Sequence, residues 1–422
     1  MPRPVVIAHH TRSGLAALNV VTAALQTKPR TDAVEVHFAH DRDQLLRDLR
    51  EAHAFGAVPV ALWSFYSPDF VASAADLAWV RGRAPGLHVA GGVHATAEPL
   101  ATLRAGFDLA AVGEGESTVV ALIEALLDGS DPRAVRGIAH LAGGRLCSAG
   151  PAERRPLDDF PAFNARAGKW NALEITRGCI YACSFCQTPF MFKARFRHRS
   201  VANVREHIAR MRKSGTVRYA RFLTPTCLSY GSADETVNLA AVEELLAAVR
   251  EELPSGRIYF GTFPSECRPE HVTRQALRVL KKYVDNRQIV IGGQSGLDRV
   301  LRANHRGHSV GDVHRAVRLS LEAGFVPDVD FLLGLPGETV EDRRASIAFA
   351  RELVALGARI HSHSFMPLPG TPLAAARPER IEETIRLSME NLESQGAMHG
   401  HWRHQQHVAA QLVALRSSRD TG

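Results

Sequence analysis

Three cysteines, Cys179, Cys183 and Cys186, fall in one short run, Thr176-Arg-Gly-Cys-Ile-Tyr-Ala-Cys-Ser-Phe-Cys. Thiolates this close in sequence can converge on one soft metal centre. Three rather than four is informative. A four-iron, four-sulfur cube held by three cysteines leaves one iron with an open position. The rival reading is a structural zinc completed by a fourth ligand such as His198. Cys227 and Cys267 are further thiols that could donate hydrogen, bind a second centre or contact a substrate; small buried hydrophobes are the alternative. The stretch Phe190–Arg199 mixes aromatics with cations, among them Lys193. Such a mixture can stack bases, cover a cofactor or sit partly in a core, and nucleic-acid binding is not expected from it. In the tail, His399, His401, His404 and His407 are expected to be solvated rather than metal-bound.

These residues must be positioned by repeated strand–helix units. Apolar runs at 4–8, 34–38, 58–65, 87–90 and 109–112 alternate with helical spacing at 15–25, 44–54, 70–80 and 117–127. Strands separated by helices pair in parallel, which gives a doubly wound sheet. A hairpin turning at Gly143-Gly144 is expected next. A second series of six runs, 173–176, 218–223, 258–262, 288–291, 326–333 and 359–365, also alternates with helices. It predicts a (βα)6 partial TIM barrel with its site at the strand carboxyl ends. The expected organisation is a Rossmann-type α/β domain over 1–150, a linker over 151–168, the barrel over 169–375 and a helical extension over 376–422. The cysteine triad follows the first barrel strand; Cys227 and Cys267 follow the second and third.

Composition narrows the class. With 45% hydrophobic and 23% charged residues a packed core is expected and global disorder is not. A net charge of +7 over 422 residues permits an anionic ligand without demanding nucleic acid. No run approaches the ~18 apolar residues of a membrane span. Six cysteines are too sparse for a disulfide scaffold. Met1–Val5 leads into a strand-like run rather than a signal peptide, so a reducing, cytoplasmic setting is expected.

The triad, with Phe185 just before its last cysteine, resembles the signature of the radical S-adenosylmethionine (radical SAM) family. The likeness extends over most of 170–372. Arg199-Ser200-Val201 resembles the entry to the first barrel helix. Ile291-Gly-Gly-Gln-Ser-Gly296 resembles the strand-four motif, with Gln294 where the family usually has Glu. Arg299–Arg302 and Arg306–Ser309 resemble the family's next segment. Leu332–Thr339 resembles the fifth-strand motif, and Phe365–Pro372 the end of strand six. The resemblance implies that Cys179, Cys183 and Cys186 hold a [4Fe–4S] cluster whose fourth iron is chelated by SAM. Reduction then cleaves SAM to a 5′-deoxyadenosyl radical that takes hydrogen from substrate. Ser265, Glu266, Gln294, Ser295 and Arg306 are the expected SAM contacts, with loop or helix capping as the alternative for each. An external electron donor such as flavodoxin or ferredoxin, and a small-molecule or peptide substrate, are the implied partners.

A doubly wound sheet before such a barrel resembles the cobalamin (B12)-binding subclass, in particular its short B12-binding-domain radical SAM proteins. Val89–Thr96 resembles that subclass's Gly-Gly loop, Val112–Glu116 its next strand end, and Leu62–Phe65 a strand ending over the ligand. The resemblance implies cobalamin against Ser64, Gly91, Gly92, His94, Gly113 and Glu114, since glycine lets the backbone approach a bulky cofactor closely. The D-x-H-x-x-G motif of classical B12 domains is absent, and His9–Gly14 occupies its loop. The implied activity is cobalamin-dependent methyl transfer to an unactivated carbon. Two alternatives stay open. One is a cobalamin-independent radical SAM enzyme whose first domain recognises substrate; the other is a zinc-bearing binding protein without enzymatic activity. A methylthiotransferase is not expected, because the first domain lacks a further cysteine triad.

Overall fold

The computed structural model describes residues 2–192 and 195–420, the last four as backbone only; Lys193 of the aromatic and basic stretch lies outside them. The chain divides into two compact units, Met1–Asn171 and Ala172–Gly422. No helix among the described residues is long and apolar enough to cross a membrane.

The first unit is a seven-stranded sheet in the order β2-β1-β3-β4-β5-β6-β7. Its strands are β1 (Pro4–His9), β2 (Glu35–Ala39), β3 (Val58–Ser64), β4 (Leu87–Gly91), β5 (Leu109–Ala111), β6 (Ile138–Ala142) and β7 (Arg145–Ser148). The first five pair in parallel; β6 and β7 add an antiparallel hairpin. Its turn needs positive φ at two positions, and Gly143 (+55°) and Gly144 (+76°) supply it. Alternation along the strands feeds two cores. Val6, Ala8, Val60 and Leu62 pack on one face; Ile7, Ala61 and Trp63 pack on the other. Helices therefore cover both faces, as a parallel sheet requires. The stretch after β4, expected as a loop, is instead a helix, Gly92–Ala97. Residues expected to form a linker pack onto this unit: Asn164 accepts from Gln26 and donates to Thr22.

The second unit is an open parallel barrel. Strands β8 (Leu173–Glu174), β11 (Tyr219–Leu223) and β12 (Arg257–Tyr259) form one sheet. Strands β13 (Gln288–Gln294), β14 (Val326–Leu333), β15 (Arg359–Ser364) and β16 (Met398–Gly400) form another, and the pair β9 (Thr176–Arg177) and β10 (Arg197–His198) is a third. A parallel bridge between Cys267 and Ile291 links the two larger sheets. The tail, expected to be wholly helical, also supplies β16, which pairs with β15. Two barrel helices, which the apolar spacing predicts over 234–252 and 269–281, start later than that. Asn238 caps Leu239–Glu252 and Thr273 caps Arg274–Tyr283, each accepting a backbone N–H with its side chain. The residues before the second helix, 263–273, run at the strand ends and include one 3-10 turn, Pro269–His271.

Candidate active site

The cysteine loop leaves β9 through Gly178. Its φ is +83°, and a Cβ there would lie 2.0 Å from the Arg195 carbonyl oxygen, so only glycine fits. Cys179, Cys183 and Cys186 then turn into an apolar cluster with Tyr181 and Phe196. Ser184 pins the loop by donating from its backbone and its hydroxyl to Asn304.

Burial pushes the Cys179 thiol up to about 12 and raises Cys186, and the neighbouring cysteines add to both. Such sulfurs ionise near neutral pH only against positive charge. Two guanidiniums contribute: Arg268 acts on Cys179, and Arg306 Nη1 lies 3.4 Å from Cys183 Sγ while its Nη2 donates to the Gly292 carbonyl at 2.8 Å. The rest would come from a bound metal centre. Among the described residues, the three ligand atoms that all lie within 4.8 Å of one another are those of Asp330, His361 and His363. His198, the candidate fourth zinc ligand, is already committed: Nε2 donates to the Ser232 carbonyl at 2.8 Å and Nδ1 meets the Thr176 hydroxyl at 3.0 Å. Three thiolates with a guanidinium beside them fit the donor set of an iron–sulfur cube, and the candidate fourth zinc ligand is engaged elsewhere.

The other expected positions divide. Arg306 and Gln294 meet at Gly292, where a Cβ would lie 3.2 Å from a side-chain nitrogen of each. Gln294 takes a left-handed φ of +70° at a break in the β13 register, which aims it back over the strand end. Ser295 turns away, to within 3.3 Å of the Ser346 hydroxyl. Ser265 is fully buried and donates to the Thr262 carbonyl. Glu266 is half-buried: desolvation, then the charge of Asp330, raise its carboxyl to about 8. Cys227 and Cys267 sit together, with sulfurs 3.1 Å apart and both side chains buried.

Several residues at the strand ends are not singled out by sequence spacing. Arg268 covers the Tyr181 ring at 3.5 Å, and the Tyr181 hydroxyl meets His271 at 3.0 Å. Glu338 accepts from the Gly334 and Leu335 amides, fixing the turn after β14. Asp330, His361 and His363 lie on facing strands. Their signal is the alternation Asp-Val-Asp-Phe and His-Ser-His-Ser, which is hidden when these stretches are read as plain apolar runs. Of the tail histidines, His399 bonds Asp328 at 2.9 Å, whereas His401 and His404 are exposed.

In the first unit, β1 lies between β2 and β3, so the winding reverses between β1 and β3. Ligand crevices form at such a switch point. Gly14 and Ser64 meet there: a Cβ on Gly14 would stand 2.3 Å from the Ser64 carbonyl oxygen. Gly92 (φ +85°) faces the Ser64 hydroxyl, Gly113 donates to the Thr96 hydroxyl, and Glu114 precedes the helix Gly115–Asp128. His94 does not point outward. It is buried and stacks on Phe70 with centroids 4.2 Å apart.

A thiol triad after the first strand of an open parallel barrel is an arrangement that suits an iron–sulfur cluster. Residues 173–350 match the model of the Radical SAM superfamily, so this chain carries a radical SAM domain. An uncharacterized methyltransferase of Pyrococcus horikoshii is 25% identical over 303 residues, covering 68% of this chain and 61% of the relative. A tRNA-2-methylthio-N(6)-dimethylallyladenosine synthase of Hydrogenovibrio crunogenus is 27% identical, covering 54% of this chain and 46% of the relative. The chain thus spans between about half and two thirds of the length of these relatives. The solved radical SAM methyltransferase TsrM from Kitasatospora setae, with cobalamin and a [4Fe–4S] cluster bound, has a TM-score of 0.68 at 18% identity, over 88% of this chain and 74% of that one. The cobalamin-dependent radical enzyme OxsB has a TM-score of 0.66 at 14% identity, over 94% and 56%. These two share the fold. The family match favours the radical SAM reading over the zinc-bearing one.

Proposed function

We propose that this chain is a cobalamin-dependent radical SAM methyltransferase acting on an unactivated carbon. The observation that carries the radical part is the triad of buried Cys179 and Cys183 and half-buried Cys186, with Arg306 against Cys183. When bound, the cluster and SAM supply a hydrogen-abstracting radical and cobalamin supplies methyl transfer. The chain's own residues hold and shield. The three cysteines take the cluster, and Arg306 offsets their charge while tying them to the Gly292 carbonyl. Gln294 presents an amide at the same strand end. Arg268 and Tyr181 close over the cysteine loop, and Glu338 keeps the β14 turn in one conformation. A substrate and an external electron donor such as a flavodoxin or ferredoxin complete the system.

Cobalamin is supported by the switch point in the first unit and by the fold shared with TsrM and OxsB. The residues fit a cobalamin held without a histidine ligand. His9 packs edge-on to Trp63, the His10 Nε2 lies 2.7 Å from Asn19, and His94 is stacked inside. Ser64, Gly91, Gly92, Gly113 and Glu114 remain at the strand ends as the surface it would meet. A cobalamin-independent enzyme is the second reading, favoured by the missing histidine motif.

Two measurements test the proposal. Cys183→Ala is expected to lose iron–sulfur absorbance and reductive SAM cleavage after anaerobic reconstitution; retention of both removes the cluster assignment. Purification with hydroxocobalamin is expected to leave corrinoid absorbance on the protein, and its absence selects the second reading.

A further inference from the structure

Strands β14 and β15 are paired so that Asp330 faces His361, with His363 two residues on. Their alternate residues, Val329, Phe331, Leu333 and Ile360, fill the outer core against the helices. Asp330, His361 and His363 therefore project from the opposite, inner face of the strands. Their ligand atoms form a tight triangle. Asp330 Oδ1 is 2.9 Å from His361 Nδ1, which is 3.2 Å from His363 Nε2, which is 3.7 Å from Asp330 Oδ1. A point about 2.1 Å from all three atoms exists just off their plane, which is the bond length of zinc to imidazole or carboxylate. The carboxylate is 5% exposed and the two rings 23% and 27%, so the anion is buried while one side stays open.

We propose that Asp330, His361 and His363 form a three-ligand site for a divalent transition-metal ion such as zinc, separate from the cysteine triad. Two histidines and one carboxylate on one face leave coordination positions free for an oxygen or nitrogen donor. The surroundings supply the outer contacts such a site needs. His399 stacks on His361 with centroids 4.7 Å apart and bonds Asp328. Gln405 accepts from the Ser364 amide with Oε1 and places Nε2 3.1 Å from His363 Nδ1. Metal at His363 Nε2 moves that ring's proton to Nδ1, where it requires an acceptor, so the Gln405 amide must turn. Gln405→Glu provides oxygens for both contacts and is expected to tighten binding.

The test uses the cluster-reconstituted protein, stripped of loose metal with a chelator and then given Zn2+ or Co2+. Expected is one zinc per chain beyond the cluster iron, and cobalt absorption of the nitrogen and oxygen type. His361→Ala and His363→Ala should each weaken binding by more than the roughly 10–100-fold of an outer-contact change. Circular dichroism and cluster iron should be unchanged, showing that the fold and the cysteine site persist. A second His363 variant, His363→Gln, covers the case in which an alanine variant fails to fold. No retained zinc, binding unchanged in the folded histidine variants, or cobalt–thiolate charge-transfer absorption would each overturn the proposal.

Discussion

Glu338 shows how a single residue in a strand-end turn can carry a pH dependence. Its carboxyl is buried, Oε1 has no partner, and burial lifts it to about 7 despite two amide donors on Oε2. Folding thus favours its protonated form. The associated stability is present below the usual carboxylate range near 4.5 and is lost as pH rises through about 7. The loss is at most roughly 3 kcal/mol for this residue. Glu338→Gln should flatten that slope, which denaturant midpoints at pH 5 and pH 7.5 would report. An unchanged slope would mean that the carboxyl is charged throughout. Glu338 falls within the stretch that resembles the fifth-strand motif, yet its raised pKa depends on the surrounding burial, which no local motif encodes.

At the scale of elements, contacts between strand ends decide what a substitution costs. Gly14 has an ordinary negative φ, so a preference for glycine there is not conformational. The constraint is the Ser64 carbonyl, a backbone atom that cannot swing aside. Gly14→Ala is therefore expected to push the β1 and β3 ends apart and cost about 3 kcal/mol, as overpacking does. A midpoint shift equivalent to less than about 0.5 kcal/mol, the range of neutral surface changes, would show that the loop yields freely. The same logic explains the two shortened barrel helices. Apolar spacing continues through 269–273, but the Thr273 cap ends the helix there, because its hydroxyl satisfies a first-turn amide.

For the whole molecule, each unit closes its own hydrophobic core, and denaturation is expected in two steps. A ligand that binds only the folded first unit raises only the first unit's transition. Hydroxocobalamin at about 100 times its Kd should stabilise that step by about 2.7 kcal/mol and leave the other unmoved. A shift of neither step, or of the barrel step alone, would place the corrinoid elsewhere or nowhere. Calorimetry of the cluster-loaded protein with and without corrinoid separates these results.

Residue order alone set the cysteine triad, the glycine before it and the alternation of strands with helices, because each of these is a relation between near neighbours in the chain. From them the two α/β units were legible, and the resemblance they carry implied a radical SAM domain. The meeting of Asp330 with His361 and His363, the inward turn of His94 and the commitment of both His198 nitrogens were not. Each depends on strand register or on packing between segments distant in sequence, and a one-residue slip would send the same side chains to the other face of the sheet. Tertiary structure alone decided those contacts.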